Sequence, residues 1–260
     1  GVYVGGSSGE CIYQHVDERK AVLEAVMSEA KGKLTVIAHV GCNNTADSVE
    51  LARHAESVGV DAIASIPPIY FHLPEKDIAK YWNDISAAAP NTDFIIYNIP
   101  QLAGVALTLP LLDEMMKNPR VIGVKNSSMP VYDIIQFRSH GAMVFNGPDE
   151  QFVSGLLAGA VGGIGGTYAA MPELYMTARE KVLSGDIAAA TKLQDVCCKL
   201  IEGLCSGQCN MYAMIKEVIR LQGGPDAGDV RPPLAGLTEA DKAVAAQCAR
   251  DIEIAIQTYC

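Results

Sequence analysis

Short runs of apolar residues alternate along this chain with longer stretches in which apolar positions recur every three or four residues. The short runs fall at 1–6 (GVYVGG), 34–41 (LTVIAHVG), 61–68 (DAIASIPP), 94–100 (FIIYNIP), 121–127 (VIGVKNS), 142–147 (AMVFNG) and 162–169 (GGIGGTYA). Each is apolar or small at odd and even positions alike, the pattern of a strand buried on both faces. The longer stretches read as helices. Asp17 opens DERKAVLEAVMSEAKG; Thr45 opens TADSVELARHAESVG, with Leu51, Ala55 and Val58 at helical spacing and Gly59 as the stop. Pro74 opens PEKDIAKYWNDISAAAP, where proline suits a first helical turn. Strand, helix and strand repeating every ~25–35 residues predict parallel βαβ units.

The expected fold class is therefore α/β, a (β/α)8 TIM barrel. The runs number seven, whereas closure of such a barrel takes about eight. The expectation is that the first βα unit, roughly 40 residues by the same repeat length, is missing from this chain. An open doubly wound sheet is the alternative. After the last run come helical stretches at roughly 171–206, 209–223 and 237–258, with the Gly- and Pro-rich QGGPDAGDVRPPLAG as a loop between the last two. Residues 1–185 are expected to form barrel strands 2–8, and 186–260 extra C-terminal helices of the same domain.

Composition sharpens this picture. At 260 residues and 49% hydrophobic content, the chain has material for one sizeable core. A net charge of −10 without any basic run argues against a nucleic-acid partner. Residues 153–171 carry no charge, but six of them are glycine, so a helix followed by a buried strand explains them better than a membrane span. The eight cysteines include no CxxC and sit in a chain too long for a small disulfide scaffold. They read as reduced thiols of a cytoplasmic protein; a metal held by Cys205 and Cys209 is the weaker alternative.

Four places carry candidate chemistry. Of the twelve lysines, Lys125 alone ends an apolar strand. The C-terminal ends of barrel strands face the active-site mouth. Burial there would lower an ammonium's pKa from ~10.4 towards ~7, leaving an amine able to attack a ketone. The plain alternative is a lysine paired with a carboxylate at the rim. Tyr97 ends the preceding strand, where its phenol could shuttle protons or serve only as a core residue. In GGSSGE, Gly5 and Gly6 permit a sharp turn, and Ser7 and Ser8 offer donors for a carboxylate; no Gly-Lys-Ser/Thr follows, which disfavours a phosphate loop. In FNGPDE, Gly147, Asp149 and Glu150 leave the next strand, where the carboxylates suit sugar hydroxyls or, for Asp149, a helix cap.

The set GGSSGE, YNIP, GVKNSS, NGPDE and GGIGGTY, in this order, resembles the N-acetylneuraminate lyase branch of the dihydrodipicolinate synthase superfamily, over essentially the whole chain. The resemblance implies a homotetrameric barrel aldolase that takes no metal or other cofactor and reversibly splits N-acetylneuraminate into pyruvate and N-acetylmannosamine. Lys125 matches the Schiff-base lysine and Tyr97 the proton-transferring tyrosine. Ser7 and Ser8 match the pair that holds the pyruvate carboxylate, and Tyr70 a tyrosine completing a hydroxyl relay with Tyr97 and Ser7. Ser127 falls where the lyases often carry threonine. Gly147, Asp149 and Glu150 match contacts to the sugar tail. Gly166 stands where a related pattern has serine, leaving a water or Thr167 to take that hydroxyl's place.

Two rivals remain. A dihydrodipicolinate synthase would resemble this chain but would carry an arginine shortly after YNIP, where Gln101, Leu102 and Ala103 stand instead. A catalytically inactive barrel acting as a regulator would be expected to lose Lys125 or Tyr97.

Overall fold

A computed structural model describes residues 1–260. Its seven strands are β1 (Val2–Val4), β2 (Val36–His39), β3 (Ala62–Ser65), β4 (Asp93–Asn98), β5 (Val121–Asn126), β6 (Met143–Asn146) and β7 (Gly162–Gly163). They follow one another in chain order in one sheet, and β1 to β6 pair in parallel. The helices are α1 (Val16–Ala30), α2 (Thr45–Val58), α3 (Glu75–Ala88), α4 (Pro100–Ala103), α5 (Leu109–Met115), α6 (Val131–Ser139), α7 (Phe152–Leu157), α8 (Pro172–Leu183), α9 (Ile187–Leu204), α10 (Met211–Leu221) and α11 (Glu239–Tyr259). Parallel strands joined through helices make this an α/β fold, each crossover returning the chain to the same end of the sheet.

The chain divides into two compact units: residues 1–147 with 159–161, and residues 148–158 with 162–260. In the first, β2 and β3 are buried at every position, as their two-faced apolar patterns predict. Phe94, Ile95 and Ile96 of β4, Ile63 of β3 and Val124 of β5 are fully enclosed, as are Trp82 and Ile85 of α3 and Leu112 of α5. The second unit has its own core. Leu193, Cys197, Leu200, Ile201 and Leu204 of α9 share it with Met214 and Val218 of α10 and Ala245, Cys248, Ile252 and Ala255 of α11.

Local chemistry sets the helix ends. Asn44 caps α2 by accepting from Asp47 N–H at 2.8 Å, and Gly59 ends it at φ 85°, a conformation that costs glycine least. Pro74 takes the capping position of α3, one residue before the first turn it was expected to occupy.

Two expectations need correction. The run 162–169 is strand only at Gly162–Gly163 and closes in a 3-10 turn at Thr167–Ala169. A Cβ on Gly163 would lie 2.2 Å from the Tyr168 hydroxyl, so this glycine marks close packing, and Thr167 turns back to bond Asp149. The stretch 171–206 is two helices. Gly185, at φ 82°, stops α8, and Asp186 restarts the chain by accepting from Ala189 N–H at 3.2 Å.

Candidate active site

Parallel register brings the first residues together. Tyr97 of β4 and Lys125 of β5 are direct Cα partners, so both side chains leave the same face of the sheet one strand apart. Lys125 is only 5% exposed and Tyr97 only 3%. The Lys125 Nζ sits 3.6 Å from the centre of the Tyr97 ring and donates to Ser127 Oγ at 3.1 Å. The Tyr97 hydroxyl lies 3.3 Å from Ser7 Oγ. Ser7 follows the turn at Gly5, whose φ of 67° suits glycine, and Ser8 is exposed on the same loop. Gly147 is needed where the chain leaves β6: a Cβ there would stand 2.1 Å from Ser127 Oγ and 2.7 Å from the Asn126 carbonyl oxygen.

Two residues of this cluster were not singled out from the sequence. The Tyr3 ring stands edge-on to Tyr97, centres 5.9 Å apart, and 5.5 Å from Lys125 Nζ. Its hydroxyl is buried without a hydrogen-bond partner, and burial raises its pKa well above the usual phenol value, helped by the neighbouring Tyr97. His39 is edge-on to Tyr97, also at 5.9 Å. Its Nδ1 lies 2.9 Å from the Gly5 carbonyl oxygen, and its Nε2 accepts from Ile66 N–H at 3.3 Å. This pairing makes Nδ1 the protonated nitrogen of a neutral ring. Burial, first of all, and then the nearby Arg19 push its pKa well below the usual imidazole value. Arg19, itself buried, donates to the carbonyls of His39 at 2.6 Å and Gly41 at 2.9 Å, fixing the end of β2. Alternation puts His39 on the same face of β2 as Ile37, the register partner of Tyr3, so Tyr3 and His39 share one face of the sheet.

A layer of asparagines follows the reactive residues. Asn98, Asn126 and Asn146 are register partners one position after Tyr97, Lys125 and Phe145, and all are buried. Asn98 Nδ2 donates to Asn126 Oδ1 at 2.7 Å, tying the ends of β4 and β5 together.

Tyr70 stands apart from this cluster. It is 86% exposed, its ring packs edge-on against Phe71 at 5.0 Å, and its φ is 85°. Such a conformation is uncommon for a bulky residue and marks a constrained loop.

The second unit carries Asp149, Glu150 and Gly166. Asp149 is buried, and its Oδ2 accepts from Thr167 N–H at 2.8 Å and Thr167 Oγ1 at 2.6 Å. The Thr167 hydroxyl also meets the Tyr175 hydroxyl at 2.8 Å. Thr167 is thus hydrogen-bonded to both Asp149 and Tyr175. Gly165 allows this arrangement, since a Cβ there would fall 1.5 Å from Asp149 Oδ1. Glu150 is exposed and Gly166 half-buried. All eight cysteines are free thiols, and no group of three or more His, Cys, Asp or Glu side chains is placed to hold a metal ion.

Chemically, the first unit presents a buried primary amine beside a phenol and two serine hydroxyls: a nucleophile, a proton carrier and donors for an anion. The model of the Dihydrodipicolinate synthetase family matches residues 1–252. An N-acetylneuraminate lyase of Mediterraneibacter gnavus is 62% identical over 255 residues, covering 97% of this chain and 81% of that protein. A structure of a Ruminococcus gnavus sialic acid aldolase, a catalytic lysine mutant, superposes with TM-score 0.99 at 60% identity, over 100% of this chain and 86% of that one. An N-acetylneuraminate lyase from Fusobacterium nucleatum superposes with TM-score 0.89 at 30% identity, over 96% of this chain and 85% of that one. Matched along nearly its whole length, the chain belongs to the Dihydrodipicolinate synthetase family.

Proposed function

We propose that this chain is a class I aldolase that reversibly cleaves N-acetylneuraminate to pyruvate and N-acetylmannosamine, with Lys125 as its Schiff-base nucleophile. The observation that carries this reading is the buried Lys125 amine lying against Tyr97 on the adjacent strand, with the Tyr97 hydroxyl on Ser7. The relatives support it: the aldolase of Ruminococcus gnavus has a catalytic lysine, and the chain is 60% identical to it.

The Lys125 amine attacks C2 of the open-chain keto acid, and water leaves to give a protonated iminium. The iminium draws electrons from the C3–C4 bond as Tyr97 takes the proton of the C4 hydroxyl. N-acetylmannosamine departs, leaving an enamine. Protonation at C3 and hydrolysis then release pyruvate and the free amine. Ser7 and Ser8 hold the carboxylate, fixing C2 at the amine, an effect that can contribute several kcal/mol. Ser127 stands beside the reacting carbons, and Gly147, Asp149, Glu150 and Gly166 serve the sugar tail. The iminium is its own electron sink, so the reaction takes no metal or organic cofactor.

We read the seven strands as seven of the eight in the (β/α)8 barrel of this family, residues 1–185, with residues 186–260 as its helical extension. The enzyme works in the cytoplasm as a homotetramer, and the exposed Tyr70–Phe71 pair meets a neighbouring subunit, completing the Tyr97–Ser7 hydroxyl relay.

A dihydrodipicolinate synthase reading fits less well, because no guanidinium follows YNIP: Gln101, Leu102 and Ala103 occupy those positions. The test is turnover of N-acetylneuraminate, followed as pyruvate release, in the wild type and Lys125→Ala. Cleavage by the wild type alone supports the proposal; equal cleavage by the variant overturns it.

A further inference from the structure

We propose that Gln194, in the middle of α9, is a positioning residue for the acidic pair Asp149–Glu150 and thereby sets affinity for the sugar half of the substrate. The inference rests on the aldolase reading above and adds a residue to it. Asp149 and Glu150 lie on a short 3-10 turn that runs directly into α7. A turn of this length has few internal hydrogen bonds, so outside groups must fix its backbone. Gln194 supplies two such bonds at once. Its Nε2 donates to the Asp149 carbonyl oxygen at 3.1 Å, and its Oε1 accepts from Val153 N–H at 2.9 Å. One amide therefore clamps a donor and an acceptor four residues apart, satisfying both ends of a turn.

One helical turn further on, Cys198 extends the clamp. Its Sγ lies 3.6 Å from Gln194 Nε2 and donates to the Glu150 carbonyl oxygen at 3.4 Å. Residues four apart on a helix share one face, so α9 turns a single edge towards this segment. The same helix is anchored in the core through Leu193, Cys197, Leu200 and Ile201. The acidic pair is thus held from both sides. Thr167 fixes the Asp149 carboxylate, and Gln194 with Cys198 fixes the backbone beneath it. Removing Gln194 leaves the carboxylates in place chemically but lets the turn that aims them relax.

The condensation direction separates this role from a general loss of structure, because pyruvate binds through Lys125 and the serine loop while N-acetylmannosamine brings the sugar tail. In Gln194→Ala the KM for N-acetylmannosamine should rise about tenfold, with the KM for pyruvate and borohydride trapping of pyruvate unchanged. Gln194→Glu keeps the acceptor for Val153 N–H but sets a carboxylate oxygen against the Asp149 carbonyl in place of the donor, so it should raise the KM for N-acetylmannosamine as the alanine variant does. It also serves as the near-isosteric control if the alanine variant folds poorly. Unchanged kinetics for N-acetylmannosamine in both variants would overturn the proposal. So would parallel losses for both substrates, which indicate a merely structural role. A wild-type enzyme that forms no product from the two substrates instead removes the aldolase reading, and this inference with it.

Discussion

At the scale of single residues, the chemistry depends on what burial does to charged and titratable groups. Lys125 and Tyr97 were legible in the sequence because each ends an apolar strand, where a polar side chain has no packing reason to be. Tyr97→Phe should keep the ring packed against Lys125 while removing the proton carrier. A fall in kcat of ~10²-fold or more, with little change in pyruvate affinity, is expected from lost general acid–base catalysis; near-normal turnover would shift the role to Ser127 or a water. His39 and Tyr3 were less legible, since a histidine or tyrosine inside an apolar run reads as ordinary strand core until its neighbours are known. His39 gives a pH signature. Its folded-state pKa lies well below the unfolded value of about 6.5. Above that pH both states hold a neutral ring and the residue contributes nothing to pH dependence. As pH falls below it, the unfolded chain takes up a proton that the folded chain refuses, and stability drops by up to about 1.4 kcal/mol per pH unit. Urea midpoints at pH 7.5 and 5.5 should therefore differ more in the wild type than in His39→Gln; equal differences would show that the ring titrates normally.

At the scale of elements, strands and helices were readable to the extent that side chains carry a pattern. Runs such as VIGVKN, with β-branched residues on both faces, gave β5 nearly to the residue. In β7 the two residues are glycines, which have no side chain to alternate, so 162–169 was read too long. The break between α8 and α9 was lost for a different reason: Ser184, Gly185 and Asp186 are a stop and a restart that a continuous apolar stripe on either side conceals. Gln194 was illegible, because a glutamine in mid-helix is commonly solvent-facing and its role depends on a turn far away in sequence. Caps, by contrast, are local. Thr238 begins α11 with a reciprocal box: its Oγ1 accepts from Asp241 N–H at 3.2 Å, and Asp241 Oδ2 accepts from Thr238 N–H at 2.9 Å. Asp241 also accepts from Gln208 N–H at 2.7 Å, so the box joins α11 to the loop before α10. Thr238→Ala should lower unfolding stability by about 1 kcal/mol, read by urea denaturation, without changing KM for either substrate; no loss would mean that the cap adds little beyond solvent.

At the scale of the whole molecule, a net charge of −10 meets a substrate that is itself an anion, so the proposed site relies on local donors such as Ser7, Ser8 and the Lys125 amine rather than on a broad positive field. No helix is long and apolar enough to cross a membrane. The exposed Tyr70 and Phe71 are the residues that the proposed tetramer would cover. Sedimentation at micromolar concentration should give a tetramer, and Tyr70→Ala should weaken both assembly and turnover; a monomer with full activity would remove the neighbouring subunit from the site. The proposed chemistry, however, rests on a covalent bond between one lysine and a keto acid. Borohydride reduction in the presence of pyruvate, followed by peptide mass mapping, tests it most directly. One stable adduct per chain is expected, located on Lys125 and absent from Lys125→Ala; an adduct on another lysine, or none while the enzyme turns over, would contradict the Schiff-base mechanism.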